Sequence, residues 1–354
     1  MSTPTQQPIM HSEALTIGAI RWDGWGKGNV WQANLNPVKW HARLPFYGHI
    51  LGAEQVSVEA DSQEVMDQEI TYAHDGGLDY WIFLHGWTDG WRSSDKYYGL
   101  VHYLASPVKA KINFCSMVLP VQGDGWRRQV EMILELLQEP TYQKVAGERP
   151  LVYLLFWDTY GDPERIWGDL ETGNRAVNLL RQEIRTAGFN DPYLVVLSMQ
   201  VEQAVRYARA MGIDAISAYA NWSYGTYQDL ARRNRLHWEE CKMAGSQGEH
   251  KLDVVPLVNA GWDPRPRYET EHVRIYGDTR EWAETPTPGE LAAHLSTAID
   301  WLDANPEVSP HHTAMIYAWN ETDEGSWLLP TLAEGPARLL AIRSMLDSRR
   351  QVNR

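Results

Sequence analysis

Eight times along this chain a short, nearly unbroken apolar run is followed by a longer stretch of helical character, and that alternation limits the fold more than any single motif. The apolar runs fall at residues 16–21 (TIGAIR), 79–84 (DYWIFL), 111–119 (KINFCSMVL), 151–157 (LVYLLFW), 193–199 (YLVVLSM), 214–220 (DAISAYA), 252–258 (LDVVPLV) and 313–319 (TAMIYAW). They are continuous rather than alternating in apolar character, as strands are when both faces of a parallel sheet are covered. Between them, Asp61 with Glu64 reads as a capping box opening a helix that Gly76-Gly77 stops, and Thr287-Pro288 with Glu290 opens another that ends before Pro306. Residues 125–138, 171–187, 200–211, 225–244 and 333–348 read as further helices, and 92–105 as one with a weaker pattern. Eight strand–helix units over this length predict a single α/β domain, a (β/α)8 TIM barrel over residues 15–350, with a disordered tail at 1–14. A doubly wound open sheet is the alternative, but it generally needs fewer units.

Composition narrows the function classes. A net charge of −14 argues against nucleic acid or an anionic membrane surface as partner, and no apolar stretch has the length to span a bilayer. The first residues, MSTPTQQPIMHSEAL, have neither a basic n-region nor an apolar h-region, so a cytoplasmic location is expected, or a periplasmic or secreted one if a leader has been removed. The two cysteines, Cys115 and Cys241, cannot build a disulfide framework or supply metal-ligand spacing, and no metal or cofactor is signalled. The outlier is Trp: 17 of them against 5 Phe. Trp adds a wide flat face and an N–H donor, which suits sugars, although a Trp-rich core accounts for about half on general grounds.

In a barrel the site forms at the C-terminal ends of the strands. The residues there are Trp22, Asp23 and Trp25 after the first run, His85 and Trp87 after the second, and Trp157-Asp158 at the fourth. Met199-Gln200 follow at the fifth, Tyr219 and Asn221-Trp222 at the sixth, Trp262-Asp263 at the seventh, and Asn320-Glu321 with Glu324 and Trp327 at the eighth. Rings that stack on a sugar face, paired with Asp, Asn, Gln and His that bind hydroxyls, are the chemistry of a carbohydrate cleft. Each has a bland reading too: Asp158 as a helix cap, His85 as a structural histidine. Glu321 and Glu324 lie three residues apart just past an apolar run, with Gly325 able to turn the backbone. Glycosidic hydrolysis needs such a pair, one carboxyl protonating the leaving oxygen and the other assisting attack at the sugar carbon. A third acid, Asp323, would raise one neighbour's pKa by like-charge proximity. His311-His312 precede the last run and belong to the opposite rim.

Asn320-Glu321-x-x-Glu324-Gly325, closed by Pro330, resembles the final motif of the endo-α-mannosidase family, glycoside hydrolase family 99, and of its bacterial polysaccharide-locus relatives. Pro45-Phe46-Tyr47-Gly48-His49 is similar to their Pro-x-x-Gly-His stretch, and Trp262-Asp263-x-x-Pro266-Arg267 to their Trp-Asp-x-x-Pro-Arg segment. The resemblance covers about residues 16–345. It implies a glycoside hydrolase acting on an α-linked oligosaccharide or glycoside with retention. Glu324 would be the general acid, and Glu321 the partner that deprotonates the sugar's 2-hydroxyl, with a direct nucleophile or a water-activating base as alternatives. It also points to Arg267 as a ligand-binding residue. This chain departs from the family at Thr322-Asp323, where Trp and then His or Gly are usual, and at Leu329, where Glu is usual. Those departures leave catalytic type transferable and mannose specificity open. Two other functions compete. A metal-dependent glycosyltransferase commonly carries Asp-x-Asp, which this chain lacks, and Gly24-x-Gly26-x-Gly28 misses the dinucleotide spacing. A non-catalytic carbohydrate-binding barrel would not need both glutamates.

Overall fold

The apolar runs form strands because each is rich in β-branched and aromatic residues and is bounded by turn formers. The computed structural model of the protein describes residues 14–85, 98–157, 161–270 and 281–352. Most of the expected tail, the expected site residue Asp158, Trp87 and the start of the 92–105 helix lie outside them, as does the side chain of His85. The strands are β1 (Thr16–Arg21), β2 (Tyr80–His85), β3 (Asn113–Val118), β4 (Arg149–Leu155), β5 (Tyr193–Leu197), β6 (Ala215–Ser217), β7 (Asp253–Val254), β8 (Leu257–Asn259) and β9 (Thr313–Tyr317). They form one parallel sheet in the order β7-β6-β5-β4-β3-β2-β1-β9-β8, with Lys144–Val145 added antiparallel beside β4. The wrapped sheet with its covering helices is the arrangement of an α/β barrel.

The run expected as one strand at 252–258 is two. Pro256 has no N–H to give a ladder, which interrupts the strand there. On either side of the break the chain is still held: Val255 N–H donates to Ile216 O at 3.1 Å, and Pro256 O accepts from Met315 N–H at 3.0 Å. The two outermost segments of the sheet, β7 and β8, are therefore separated in the chain only by Val255 and Pro256.

Helices follow the strands where the sequence places them: Gln63–Gly76, Tyr98–Ala105, Asp124–Leu136, Leu170–Thr186, Val201–Met211, Tyr227–Gly245, Pro288–Ala304 and Ala337–Val352. Thr287 and Glu290 make the expected reciprocal capping box. The first cap differs from expectation. Ser62, not Asp61, accepts from Val65 N–H, because the Asp61 carboxylate is engaged by His102 at 2.9 Å. The last helix starts later than the expected residue 333, since Thr331 and Gly335 bridge in a turn and the helix begins just past Pro336. Trp25, Trp81, Trp238 and Trp319 are fully buried in the core, which accounts for part of the Trp excess. Both cysteines are buried and free. His312 sits at the start of β9, the end opposite Glu321, and contacts Asp303 at 2.9 Å. Among the described residues no helix is long and apolar enough to cross a membrane.

Candidate active site

Beyond β9 the chain turns back on itself. Asn320–Glu321 pairs antiparallel with Ser326–Trp327, and Thr322–Glu324 forms a single 3-10 turn between them. Two glycines make this possible. Gly325 has φ +75°, a left-handed conformation that a side chain disfavours. Gly261, after β8, has φ +154°, and a Cβ there would stand 2.0 Å from Gly325 O. The two loops thus touch backbone to backbone, with Asp263 N–H donating to Glu324 O at 2.6 Å. Asn320 fastens the hairpin to β1: its side chain accepts from Trp22 N–H at 2.9 Å and donates to Trp22 O at 2.6 Å.

Three carboxylates end up buried together. Glu321 and Glu324 are each 3% exposed, and Asp323 is fully enclosed. One guanidinium, that of Arg267 from the short helix Arg265–Glu269, meets all three. Its Nε donates to Asp323 at 2.6 Å and its Nη2 to Asp323 at 3.0 Å and Glu321 at 3.2 Å, while its Nη1 donates to Glu324. The same group lies over the rings of Trp31 and Trp22, 4.7 and 5.3 Å from their centroids. Asn34 donates to Asp323 at 2.9 Å, Tyr219 O–H to Glu321 Oε1 at 3.0 Å, and Tyr317 O–H to Glu324 Oε2. Burial raises the Glu321 carboxyl to about 7; Arg267 opposes the shift and Asp323 adds to it. Like-charge proximity does act as expected, but behind desolvation. Among the described residues no group of three or more His, Cys, Asp or Glu is arranged to hold a metal ion.

Two adjoining cavities open at these carboxylates. One, of about 120 Å³, is lined by Trp157, Met199, Tyr219, Ala220, Trp222, Trp262, Tyr268, Glu281, Tyr317 and Glu324. The other, of about 200 Å³, is lined by Trp22, Trp31, Leu84, Leu119, Leu155, Trp157, Tyr219, Arg267, Glu321 and Glu324. Trp157, Tyr219 and Glu324 border both, and the two rings are nearly parallel at 17° with centroids 6.3 Å apart. The result is a cleft with two lobes, Glu324 at their junction and Glu321 on one lobe alone.

Nine of the residues expected from sequence therefore meet at the cleft: Trp22, Trp157, Met199, Tyr219, Trp222, Trp262, Arg267, Glu321 and Glu324. Others hold the walls up instead of lining them. Asp23 accepts from Arg21, which also reaches Glu69 at 2.6 Å. Asp263 is clamped between Arg43 and Arg265. Asn320 spends both ends of its amide on Trp22, and Trp327 lies under the Arg338 guanidinium at 3.7 Å. Asn221 is buried with its backbone bound on both sides by the Asn259 side chain. Gln200 faces a separate groove with Glu202 and Arg233, and His49 is exposed on the hairpin Gly48–Gly52/Gln55–Val58. Residues that sequence reasoning missed include Tyr317, Asn34, Trp31 and the three leucines. Tyr317 was readable as an inward position at the end of the last strand. Asn34 and Trp31 sit in irregular chain, where no periodicity marks them.

No family model matches the chain, and no curated protein sequence does. Solved structures do. The GH99 endo-α-mannosidase from Bacteroides thetaiotaomicron, with bis-tris-propane bound, aligns at a TM-score of 0.62 with 14% identity, over 97% of this chain and 99% of that one. A second structure of that enzyme aligns at 0.59. A glycoside hydrolase-like protein aligns at 0.60 with 12% identity, over 98% of this chain and 97% of that one. The fold is shared end to end. At such identity the likeness is one of fold alone.

Proposed function

We propose that this chain is a retaining glycoside hydrolase of an α-linked carbohydrate, built as one closed (β/α)8 barrel over residues 15–350 in which residues 253–259 serve as a single broken seventh strand. The hydrogen bonds made by Val255 and Pro256 to either neighbour support closure. The observation that carries the chemistry is the unequal placement of the glutamates: Glu324 borders both lobes, Glu321 only one. A general acid must reach the oxygen that joins two sugars, so it belongs at the junction of two subsites. The partner acts on one sugar only, at its anomeric carbon or its 2-hydroxyl, so it belongs in one. Glu324 therefore protonates the leaving oxygen, with Tyr317 and Arg267 orienting its carboxyl. Glu321 assists from the lobe that holds the sugar being transferred. A carboxyl poised near 7 suits a base working around neutral pH. The faces of Trp22, Trp31 and Trp157 supply stacking surface.

The test is turnover of α- and β-linked glycans and aryl glycosides by wild type, Glu324→Gln and Glu321→Gln, with product anomers followed by NMR. Glu324→Gln is expected to lose about 10²–10⁴-fold on unactivated substrates and much less on substrates with acidic leaving groups. Glu321→Gln is expected to fail on both, and the first-formed product to keep the substrate's configuration. Full activity in both variants would remove these residues from the mechanism. Oligosaccharide binding with no turnover by wild type would favour a carbohydrate-binding barrel.

A further inference from the structure

Accepting the hydrolase reading, we infer that the lobe beside Glu321 takes a sugar bearing a methyl group, a 6-deoxyhexose or an N-acetylated one, turned toward a wall of leucines. The lobe is divided chemically. Among the described residues its four hydrogen-bonding side chains other than Trp are one connected cluster, since Tyr219 and Arg267 both donate to Glu321, and Arg267 also to Glu324. The rest of the described wall comes from neighbouring strands: Leu84 on β2, Leu119 just past β3 and Leu155 closing β4. The register pairs Val118 with Leu154, which sets Leu119 beside Leu155. Leu84 and Leu119 remain partly exposed although they stand at the cleft.

A hexose held with its reacting carbon at the carboxylates can satisfy hydroxyls on that side. A hydroxyl pressed onto the leucines would give up its water with no acceptor among the described lining residues of that wall, whereas a methyl group there only gains contact. A hydrophobic pocket distinguishes an added hydroxyl by about 10²-fold.

The test uses methyl glycosides in pairs differing only at C6 (6-deoxyhexoside against hexoside, in the gluco, galacto and manno series of both enantiomers) and pairs differing only in N-acetylation. Binding is measured on Glu324→Gln by NMR titration and saturation transfer, and turnover on wild type with the matching aryl glycosides. At least one methyl-bearing member is expected to bind about 10²-fold more tightly than its partner, with its methyl protons taking the strongest saturation. Leu119→Asn is expected to erase the preference, and Leu119→Met, which keeps the wall apolar, to retain it. The pair that responds tells a deoxy methyl from an acetyl methyl. Equal binding within every pair, no saturation at any methyl group, or a preference that survives both Leu119→Asn and Leu84→Asn would overturn the inference. A methyl preference in binding without cleavage would sustain it while sinking the hydrolase reading; cleavage without preference would do the reverse.

Discussion

Replacing Arg267 by Met keeps a long side chain in place and removes the one cation that, among the described residues, is shared by Glu321, Asp323 and Glu324. Breaking a buried ion pair from one side costs about 3–5 kcal/mol, because the charge left behind has neither water nor partner. Here the acids have an escape, which is to take up protons. Holding a carboxyl of ordinary pKa near 4 neutral costs about 1.4 kcal/mol per pH unit above that value. At pH 8 the escape is no cheaper than the broken pair, so the loss stays at about 3–5 kcal/mol. At pH 5 it falls to roughly 1–2 kcal/mol. With 354 residues and an unfolding entropy of about 2.1 cal/mol/K per residue, each kcal/mol moves Tm by about 1.3 °C. Differential scanning calorimetry is thus expected to show Tm about 4–7 °C below wild type at pH 8 and about 1–3 °C below at pH 5. Arg267→Lys, a point charge without the planar fork, falls between. A Met variant within about 1 °C of wild type at pH 8, or equally destabilised at both pH values, would refute the claim that this guanidinium is what makes three buried acids tolerable.

Glu321 titrates in the fold near 7 against 4.5 ordinarily, so the folded state holds its proton more strongly than the unfolded chain does. Stability from this group is therefore full below about 4.5 and lost as pH rises through about 7, and Glu321→Gln is expected to raise Tm relative to wild type at pH 8 more than at pH 5. If Glu321 must be ionised to act, kcat/KM of wild type rises through about pH 7 on its acid limb, and a profile flat from pH 5 to 8 would contradict that role. At Gly325, Ala would meet a left-handed φ and place its Cβ 2.6 Å from Asp263 N and 2.9 Å from its Cα. Gly325→Ala is expected to destabilise by about 2–5 kcal/mol, from backbone strain of about 1–2 and overpacking of about 1–3. It is also expected to lower turnover on every substrate alike, as urea titration and steady-state kinetics would register.

The strands were legible because burial on both faces leaves continuous apolar runs, and that signal survives even the break at Pro256. That Glu321 and Glu324 come together in one tight turn was legible because their spacing and the following glycine are local. The fate of polar residues at the other strand ends was not, and the reason is physical. A side chain that binds ligand and one that braces a loop need the same donors, acceptors and rings. Asn320, Asp263 and Trp327 satisfy every criterion for a cleft residue, and only the position of Trp22, Arg43 and Arg338 in space decides that they brace it. Trp31 and Asn34 reach the site from a segment whose regular structure is two short 3-10 helices, Trp31–Leu35 and Val38–Arg43, so no period announces them.

The departure at Thr322-Asp323 gains its meaning from where it sits. Asp323 lies behind the two glutamates, enclosed, and borders neither cavity among the described lining residues. There it takes the Nε edge and part of the Nη2 of Arg267, while Asn34 supplies it a further donor. A guanidinium is planar, so pinning one edge aims the other nitrogens, and those face Glu321 and Glu324. The change between the glutamates thus acts on the orientation of the acid pair and has no surface to offer a sugar. On the proposed function, recognition of the sugar falls to the lobe walls, to Trp22, Trp31 and the leucines on one side and Trp222, Trp262 and Tyr268 on the other. Those walls are drawn from loops and strand ends remote in sequence from the glutamates. On that reading a chain can keep the carboxylate pair while changing the sugar it accepts.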